Sequence, residues 1–407
     1  MSRKVLYISY DGLTDPLGQS QVLPYIIELS KLGYRFTILS FEKKKRYSAE
    51  RRIIEKITGE ASIKWVPLFF TARPPILSKM YDRWQLMRKA FQLQRQEKFD
   101  IVHCRSYIAA EAGLRLKKKK GVKFLFDMRG FWADERVDNG QWDLKKPFYK
   151  SIYTHYKKKE KDFLLNADGI VSLTKAAKDF LLARPEYKDI SVVVIPCCAD
   201  LDHFNFNRIS KQRSDDLRNE LGILPGKKII LYLGSIGGWY MTHEMFAFYK
   251  RLLLKHPDFI MLILTKDEKT TVIKEAAAEG IPAGQVFVRY ARRDEVPAYL
   301  GLSNCSIFFI RPSFSKTASS PTKHAELMGM GIPVICNNIG DTGNIIEATR
   351  TGVIVHAFSD KDYDQAVEKL PQLLTISKDI IRKAAFEFFD LKEGAKKYAV
   401  LYSKILN

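Results

Sequence analysis

The sequence predicts an α/β protein built from two doubly wound domains that face each other across a cleft. Three observations lead to this prediction. Apolar runs of strand length alternate with helical patterns, the alternation stops at a polar stretch near residue 200, and it then starts again. The chain has 407 residues, of which 46% are hydrophobic, so each domain can bury its own core. Because the strands are apolar rather than alternating, we expect parallel sheets covered on both faces.

The first domain begins with a strand at Val5 to Ser9, followed by the loop DGLTDPLGQSQ and a helix that ends at Gly33. The strand FTILSF completes a βαβ unit. Further strands, separated by helical stretches, are IVHC near Ile101, FLFD at Phe124, GIVSL at Gly169 and SVVVIP at Ser191. This pattern predicts one parallel sheet within residues 1–204.

The polar stretch CADLDHFNFNRISKQRSDDLRNELGILPGKK predicts the connection to the second domain, residues 205–380. The strands predicted for this domain are IILYLGS at Ile229, FIMLILT at Phe259, VFVRY at Val286, CSIFFI at Cys305 and VIV near Val353. A final amphipathic run from Asp379 to Asn407 is predicted to be helical, with no strand after it. Ligand loops of the two domains are expected at the carboxyl ends of the strands, along the cleft.

The positive charge is concentrated in the first half of the chain. The net charge is +21, and residues 1–200 contain 39 Lys and Arg against 23 Asp and Glu. Clusters lie at residues 43–52, at 117–120 and at 145–161, where tyrosines alternate with lysines. We expect an anionic membrane surface as a partner, with a solvated lysine-rich surface as the alternative. Nucleic acid is not expected, because neither zinc-finger spacing nor an RNP motif is present.

Compartment is indicated by what the sequence lacks. The first residues, MSRKVLYISYDG, do not have the layout of a signal peptide, and no apolar run reaches the roughly 18 to 20 residues that cross a bilayer. The five cysteines form no Cys-x-x-Cys pair, so neither a disulfide framework nor a zinc site is expected. We expect a cytoplasmic protein, peripheral on the inner face of the cell membrane.

The stretch from Arg311 to Ile335, RPSFSKTASSPTKHAELMGMGIPVI, predicts a loop, a short helix and a strand. Ser319 or Ser320 can cap the helix, and Gly331 ends it.

Within this helix Lys323 and Glu326 are three residues apart and share one face. Helix N–H groups with an ammonium suit a diphosphate, and a carboxylate can accept both hydroxyls of a ribose. The pair favours a nucleotide, and the alternative is a capped helix with an incidental ion pair.

Other strand ends of the second domain carry glycines or basic residues. The turn Gly234–Gly238 follows one strand, and its glycines allow a ligand to approach the backbone closely. Because such ends meet at one edge of a parallel sheet, we expect a phosphate site there, with ordinary loop charges as the alternative. The residues predicted to bind the whole nucleotide ligand, phosphates included, are Gly234, Ser235, Gly237, Lys266, Tyr290, Ser319, Ser320, Thr322, Lys323 and Glu326.

Four segments resemble the GT-B glycosyltransferases of the retaining family 4 type (glycosyl transferases group 1), and the resemblance covers nearly the whole chain. They are the DGLTDPLGQSQ loop with the following helix that ends KLGYRFTILS, then VIPCCADLDHF, ILYLGSIGGWYMTHEMFAFYK and SSPTKHAELMGMGIPVICNNIGD. The resemblance implies two Rossmann-like domains, with a nucleotide-sugar donor in the C-terminal domain and the acceptor mainly in the N-terminal domain. It also implies that a C-terminal helix, residues 381–407, returns to the first domain.

The resemblance assigns the ribose-binding glutamate of the family to Glu326. The other motif glutamate, which binds the donor sugar, falls on Ala318. The usual phosphate-binding Arg and Lys are also absent, since Ser235 stands near the former and Thr242 or His243 near the latter.

A subset of the family is similar to this chain in having Arg before the loop and then Pro-x-Lys-x-x-Glu. That subset also has an acidic-x-Arg-Gly-x-Trp motif, which resembles Asp127 to Trp132 here. We therefore expect Arg311, Lys316 and Lys323 to replace the missing cations. The residues predicted to act in catalysis are Arg311, Lys316, Asp127 and Arg129.

The predicted acceptor-binding residues are Gly18, Gln19, Ser20 and Glu135. Asp127 and Arg129, at one strand end, either position the acceptor hydroxyl or pair structurally with each other. His103 is expected to be a core histidine, and the alternative is a ligand contact.

Transfer from a nucleotide-sugar breaks the anomeric C–O bond, so negative charge develops on the departing diphosphate and fixed cations stabilise it. No metal and no other cofactor are predicted, because the sequence has no Asp-x-Asp motif or histidine cluster. The resemblance implies retention of anomeric configuration, with the leaving phosphate helping to take the acceptor proton.

The predicted function is transfer of a sugar to a saccharide or lipid-linked acceptor in cell-surface polysaccharide or glycolipid synthesis. One alternative is a nucleotide-sugar epimerase of the same fold. Another is a non-catalytic nucleotide-sugar-binding protein, which the alanine at position 318 suggests.

Overall fold

The computed structural model describes residues 3–407, which form two compact units. The first unit consists of the chain up to Pro196, together with Phe314–Ser319 and Leu391–Asn407. The second unit consists of Cys197–Ser313 and Ser320–Asp390. The sequence prediction instead divided the chain after residues 204 and 380 and kept residues 314–319 in the second domain.

A seven-stranded parallel sheet lies at the centre of the first unit. Its strands are β1 (Lys4–Ser9), β2 (Arg35–Glu42), β3 (Lys64–Phe69), β4 (Ile101–Arg105), β5 (Lys123–Asp127), β6 (Gly169–Ser172) and β7 (Val192–Val194). The order across the sheet is β3-β2-β1-β4-β5-β6-β7. Strand order therefore reverses between β1 and β4, and ligands of doubly wound folds bind outside the carboxyl ends at such a reversal.

Helices cover both faces of this sheet. They are α1 (Pro16–Gln21), α2 (Leu23–Lys31), α3 (Lys44–Glu60), α4 (Pro75–Glu97), α5 (Ser106–Lys120), α6 (Trp132–Asp138), α7 (Pro147–Asn166) and α8 (Lys175–Leu182). Helices α3 and α4 and strand β3 were not among the predicted elements. Strand β3 is only half-buried and contains Pro67, which is tolerated because β3 is an edge strand, so its pattern is weak.

The second unit contains a six-stranded parallel sheet. Its strands are β8 (Lys228–Leu233), β9 (Phe259–Leu264), β10 (Val286–Arg289), β11 (Cys305–Phe308), β12 (Val334–Cys336) and β13 (Gly352–Ile354), in the order β10-β9-β8-β11-β12-β13. Its helices are α9 (Lys211–Leu221), α10 (Thr242–Lys255), α11 (Lys269–Ala278), α12 (Val296–Leu300), α13 (Thr322–Gly329), α14 (Thr342–Thr349), α15 (Asp360–Glu368), α16 (Leu370–Leu373) and α17 (Lys378–Phe389).

The prediction of two doubly wound parallel α/β units is confirmed. Every residue of β9 is buried, which explains the uninterrupted apolar run FIMLIL. Strand order in the second sheet reverses between β8 and β11. The loops after these two strands, which include Gly234 and Arg311, therefore meet at the position where doubly wound sheets bind ligands.

The C-terminal run that the sequence predicted as helical consists of two helices. Helix α17 ends at Phe389, and Asp390 has extended backbone and forms a bridge with Ala199 in the second unit. Helix α18 (Leu391–Leu406) belongs to the first unit, where it packs against α2. The hydroxyl of Tyr34 donates to the carbonyl of Ala399 in α18 at 3.2 Å.

Across residues 3–407, none of the helices combines the length and the apolar character that crossing a membrane requires.

Arg382 of α17 holds three backbone carbonyls. Its buried guanidinium donates to the carbonyl oxygens of Phe204 (2.6 Å), Gly329 (2.5 Å) and Leu201 (2.6 Å). We expect Arg382→Met to destabilise the second unit by about 2 to 4 kcal/mol, because these acceptors become unsatisfied in a buried position. Thermal unfolding measures the effect, and Lys383→Met, at an exposed position of the same helix, is the matched control. Equal melting temperatures of the two variants would contradict this role.

Candidate functional site

Lys323 places a buried charge at the carboxyl edge of the second sheet. Its side chain belongs to the first turn of α13, and the residue is 6% exposed. The ammonium lies 3.6 Å from the centre of the Tyr240 ring and 4.4 Å from that of Tyr232. Within the part of the chain that the structure describes, Nζ has no hydrogen-bond partner. Aromatic faces compensate such a charge in part, but the ammonium retains unused donors.

Gly234 makes room for this ammonium. A Cβ atom at position 234 would lie 2.6 Å from Nζ of Lys323, and the residue has φ +132°, a conformation that side chains disfavour. The glycine that the sequence identified as a point of close approach therefore lies directly beside the predicted phosphate-binding lysine.

Burial determines the protonation of this pair. Burial lowers the pKa of Lys323 to about 7, and Glu326 opposes the shift. Burial also raises the pKa of Glu326, whereas Arg293 and Lys323 act in the other direction. Lys323 can therefore gain or lose its proton near neutral pH, and an anion beside it would favour the charged form.

Glu326 is held by a residue that was not among the predicted site residues. The guanidinium of Arg293 donates to Oε1 of Glu326 at 3.2 Å, and Glu326 is 6% exposed. The Arg293 ion pair orients the carboxylate.

Asp267 fixes the Gly234–Gly238 turn. Its Oδ2 accepts the backbone N–H of Ile236 at 2.5 Å and the hydroxyl of Thr265 at 2.8 Å. The N–H of Gly237 donates to the hydroxyl of Thr242 at 2.9 Å, while Ser235 is exposed and its carbonyl accepts from Tyr232. The turn is thus ordered by side chains from two neighbouring loops.

Arg311 is exposed, and its guanidinium lies 4.9 Å from the centre of the Trp239 ring. Its backbone N–H donates to the carbonyl of Trp239 at 2.8 Å, so the loops after β8 and β11 are joined.

Lys266 and Tyr290, both exposed at neighbouring strand ends, form a separate pair with Nζ of Lys266 5.6 Å from the centre of the Tyr290 ring. Their exposed surfaces can accept a ligand without rearrangement of the core.

The predicted serine cap of α13 is wrong. Pro321 occupies the N-cap position, and no side chain caps the helix. Ser320 instead accepts the backbone N–H of Cys197 at 3.1 Å, Ser319 belongs to the first unit, and Thr322 is the first helical residue. The first N–H groups of α13 are consequently not used by a serine hydroxyl.

Lys316 lies in the first unit, where its ammonium binds Glu135 at 2.9 Å. The same segment is attached at Ser315, whose N–H donates to Asp138 at 2.8 Å, and at Phe314, whose ring stacks on Phe131 at 4.9 Å. One predicted catalytic residue and one predicted acceptor residue thus form an ion pair with each other. Gly234, Lys323 and Glu326 lie in the second unit, where the structure brings them together.

Ala318 is 2% exposed and packs in the apolar core of the first unit. A glutamate at this position would bury a carboxylate among aromatic and aliphatic side chains, which costs several kcal/mol, on the order of 3 or more. The small apolar residue therefore suits its surroundings.

The predicted acceptor residues Gly18, Gln19 and Ser20 lie in α1. A Cβ atom at Gly18 would lie 2.1 Å from the carbonyl oxygen of Gly12, so packing of α1 on the preceding loop requires this glycine. The amide of Gln19 donates to the carbonyl of Thr14 at 3.4 Å, and the hydroxyl of Ser20 donates to that of Pro16 at 2.8 Å. These contacts are local and leave both side chains partly exposed.

Glu42, which the sequence analysis missed, organises this loop. It is fully buried at the end of β2 and accepts the N–H groups of Leu13 (2.8 Å) and Thr14 (3.1 Å). It also accepts the hydroxyls of Thr14 (2.5 Å) and Ser40 (2.6 Å). Four donors satisfy the buried carboxylate, and the loop after β1 is built around it.

Asp127 and Arg129 lie beneath α18. Asp127 is 1% exposed, and its Oδ2 accepts the hydroxyl of Tyr398 at 3.1 Å. Arg129 Nη1 is 3.8 Å from the same oxygen, and Nη2 donates to Gln21 at 3.4 Å. The structure thus contains the pairing that the sequence analysis weighed as one of two interpretations. Oδ1 of Asp127 has no hydrogen-bond partner among residues 3–407.

His103 is a buried histidine between two partners. Nδ1 is 2.6 Å from the hydroxyl of Tyr402, and Nε2 is 3.5 Å from Oδ2 of Asp127. Burial lowers the pKa of His103, against the effect of Asp127. Burial alone would raise the pKa of Asp127, but Arg129 and His103 bring it below its usual value. The arrangement therefore fits a neutral imidazole beside a carboxylate.

Within residues 3–407, no group of three or more His, Cys, Asp or Glu side chains is arranged so that it could hold a metal ion.

The aromatic neighbours of Lys323 were missed because their proximity depends on the fold. Tyr232 follows the strand pattern of β8, and Tyr240 lies six residues after Gly234. The available signal was an isolated tyrosine in an otherwise aliphatic strand, directly before a glycine turn.

Two sequence families match this chain. The model of Glycosyltransferase Family 4 matches residues 21–203, and that of glycosyl transferases group 1 matches residues 213–385. Together they span most of both units.

Curated relatives share low identity with the chain. Spore coat protein SA of Bacillus subtilis is 24% identical over 182 residues, which are 43% of this chain and 46% of that protein. Alpha-monoglucosyldiacylglycerol synthase of Streptococcus pneumoniae is 22% identical over 321 residues, 69% of this chain and 66% of that protein. Across five curated relatives, the match spans 46% to 66% of the relative's own length.

Solved structures share the fold over the whole chain. A glycosyltransferase from Rickettsia africae superposes with a TM-score of 0.71 at 18% identity, covering 100% of this chain and 99% of that one. HepE from Anabaena, in complex with UDP and glucose, superposes with a TM-score of 0.70 at 13% identity, covering 98% and 99%.

Tyr398 tests the structural importance of the Asp127 contact. We expect Tyr398→Phe to destabilise the first unit by about 1 to 3 kcal/mol, because a buried carboxylate loses a hydroxyl donor. Thermal unfolding measures the loss. Tyr290→Phe, at a ring that is 57% exposed, is the control and should leave the melting temperature unchanged. A Tyr398→Phe protein as stable as the control would exclude this contribution.

Proposed function

Because this chain belongs to the GT-B glycosyltransferases, we propose that it transfers a sugar from a nucleotide-sugar to a saccharide or lipid-linked acceptor. We propose retention of anomeric configuration and a place in cell-surface polysaccharide or glycolipid synthesis. Membership in glycosyl transferases group 1 supports the reaction class.

The observation that carries the proposal is the Lys323 ammonium. It is buried, it has unused hydrogen-bond donors within residues 3–407, and it lies beside Gly234 at the reversal of strand order. A diphosphate oxygen would supply the partner that the ammonium lacks, and the first turn of α13 would add N–H groups. Glu326, oriented by Arg293, would accept the ribose hydroxyls.

The proposed chemistry depends on charge. When the anomeric C–O bond breaks, the sugar ring becomes positive and the diphosphate gains negative charge. A lysine already fixed in a buried position stabilises that charge without reorganisation. Removal of one such group commonly costs about 2.7 to 4 kcal/mol of transition-state stabilisation. Arg311, stacked on Trp239, is the second cation proposed to contact the diphosphate.

We assign acceptor binding to the first unit, following the family resemblance. Lys316 and Glu135 bind each other there. We therefore propose that both position the Phe314–Ser319 segment, in place of the catalytic role predicted for Lys316 and the acceptor-binding role predicted for Glu135. Gln19 and Ser20, whose side chains are partly exposed, remain the predicted residues that we propose to contact the acceptor, because Asp127 is buried.

We propose UDP as the first nucleotide to test, because HepE of the same fold was crystallised with UDP and glucose. Alpha-monoglucosyldiacylglycerol synthase is a glycolipid synthase by its name, which supports a lipid-linked acceptor and peripheral location on a membrane.

We further propose hexosyl transfer without a metal, because Lys323 provides positive charge at the leaving group. Activity retained in EDTA would support this part.

Donor turnover without acceptor separates the candidate functions. The protein is incubated with radiolabelled UDP-, GDP- and TDP-sugars, and products are resolved by chromatography. Slow hydrolysis supports the transferase, interconversion of sugars supports an epimerase, and binding without turnover supports a non-catalytic protein.

Substitution of the two α13 residues tests the site. We expect Lys323→Met to reduce hydrolysis of the preferred donor about 100-fold, because the leaving diphosphate loses a preorganised cation. Glu326→Gln should weaken donor binding. Lys361→Met, at an exposed position of the second unit, is the charge-matched control and should retain full activity. Hydrolysis at the wild-type rate in Lys323→Met would remove this lysine from the site.

Above neutral pH, binding of UDP should be accompanied by uptake of a proton by Lys323. The free ammonium has a pKa of about 7, so at pH 8 most of the free protein has neutral Lys323, and a bound diphosphate raises this pKa. Affinity therefore falls as pH rises above 7, by up to about tenfold per pH unit.

Calorimetry at pH 8 in two buffers of different ionisation enthalpy measures this proton uptake. Lys323→Met should show none, and Lys361→Met should behave as the wild type. Identical uptake in all three proteins would disprove the assignment.

A further inference from the structure

A stripe of large apolar side chains on α4 faces solvent. Leu77 is 62% exposed, Met80 60%, Tyr81 50% and Trp84 52%. Their spacing of three and four residues aligns them on one side of the helix. Tyr81 stacks on Trp84 at 5.7 Å, and the guanidinium of Arg88 lies 5.3 Å from the centre of the Trp84 ring. We call Leu77, Met80, Tyr81, Trp84 and Arg88 the α4 surface.

The core-facing side of α4 is formed by other residues. Asp82, Leu86, Ala90 and Leu93 are each 2% exposed or less, and they alternate with the stripe at positions roughly half a turn away. Helix α4 therefore packs on the rest of the first unit through these residues, and the α4 surface takes no part in that packing. Four large apolar side chains grouped in solvent are unusual for a packing role and typical of a contact surface.

A groove of about 270 Å³ continues the α4 surface toward α5. Its apolar lining consists of Trp84, Met87 and Phe91, and its basic lining consists of Arg88, Arg115 and Lys119. Apolar and cationic side chains thus meet in one depression.

Positive charge predominates around the α4 surface, because Glu111 of α5 is paired with both Arg83 and Lys159. Residues 77–96 contain a single acidic residue, Asp82, which is buried and accepts the N–H of Thr71 at 3.1 Å. Arg88, Arg115 and Lys119 are exposed. An apolar stripe bordered by cations is complementary to an anionic lipid surface, whereas a second copy of the same stripe would bring like charges together.

Two of the basic clusters that the sequence indicated, residues 43–52 and 145–161, are less suited to this role, whereas Lys119 of the third cluster lines the groove. Lys157 binds Asp134 at 2.8 Å and Glu160 at 2.5 Å, and Lys159 binds Glu111 at 3.1 Å. Lys43 and Arg46 of another cluster both bind Asp15 at 3.0 Å. Carboxylates therefore offset part of the positive charge of these two clusters.

We propose that the α4 surface docks the protein on an anionic bilayer. Leu77, Met80, Tyr81 and Trp84 enter the headgroup region, and the basic side chains of the groove contact lipid phosphates. This inference rests on the proposed membrane-linked function and names the part of the chain that makes the contact.

Vesicle flotation of the full chain tests the inference. The protein is mixed with phosphatidylcholine vesicles containing or lacking phosphatidylglycerol, at low and high salt. We expect binding to the anionic vesicles, and a loss of about tenfold or more in the Met80→Glu/Trp84→Glu double variant. The matched control is Leu254→Glu/Val400→Glu, at apolar side chains that are 70% and 69% exposed elsewhere, and it should float as the wild type.

Fluorescence locates the contact independently of flotation. Brominated phosphatidylcholine in anionic vesicles should quench part of the tryptophan emission, and Trp84→Phe should abolish that part. Quenching that is unchanged in Trp84→Phe would overturn the proposal.

Donor hydrolysis in solution, without vesicles, separates this inference from the proposed function. A Met80→Glu/Trp84→Glu protein that hydrolyses donor normally but no longer floats supports docking through α4. Equal flotation of all variants, or no flotation of the wild type, overturns the docking even where hydrolysis persists. Loss of self-association in the double variant, with vesicle binding unchanged, would assign the surface to a second copy of the chain instead.

Discussion

The buried ammonium of Lys323 constrains the carboxyl edge of the second sheet. A charge in this position requires compensation, and the protein supplies the faces of Tyr240 and Tyr232 rather than hydrogen-bond acceptors. Glycine suits residue 234, because its φ of +132° disfavours a side chain and a Cβ atom would lie 2.6 Å from the ammonium. Three structural features therefore position the Lys323 ammonium where an anion could bind. They are the reversal of strand order, the glycine turn and the first turn of α13.

In the first unit, buried carboxylates that accept hydrogen bonds fix the loops and helices around them. Glu42 accepts four hydrogen bonds and orders the loop after β1. Asp127 receives Tyr398 from the end of the chain, so α18 is attached to the sheet by a polar contact as well as by apolar packing. These carboxylates stabilise loops because each is removed from water together with its partners.

The pairing of charges also explains why the net charge of the first half of the chain does not show which part of its surface could bind a membrane. Part of the positive charge in the first half of the chain is paired with carboxylates, as at Lys157 and Arg46. On α4 the basic residues instead border exposed apolar side chains and have few acidic neighbours. The location of charge relative to carboxylates, rather than its total, distinguishes a solvated surface from one that can bind a membrane.

The two parallel α/β units could be predicted from the sequence alone, because buried strands and helix periodicity are local properties. It also indicated Gly234, Lys323 and Glu326, since glycine turns and helix starts have local signatures. It did not reveal the pairing of Lys316 with Glu135, the aromatic faces around Lys323, or Glu42 as a loop anchor. Each of these joins residues that are distant in sequence, and only the tertiary structure decides which donors and charges become neighbours once water is excluded.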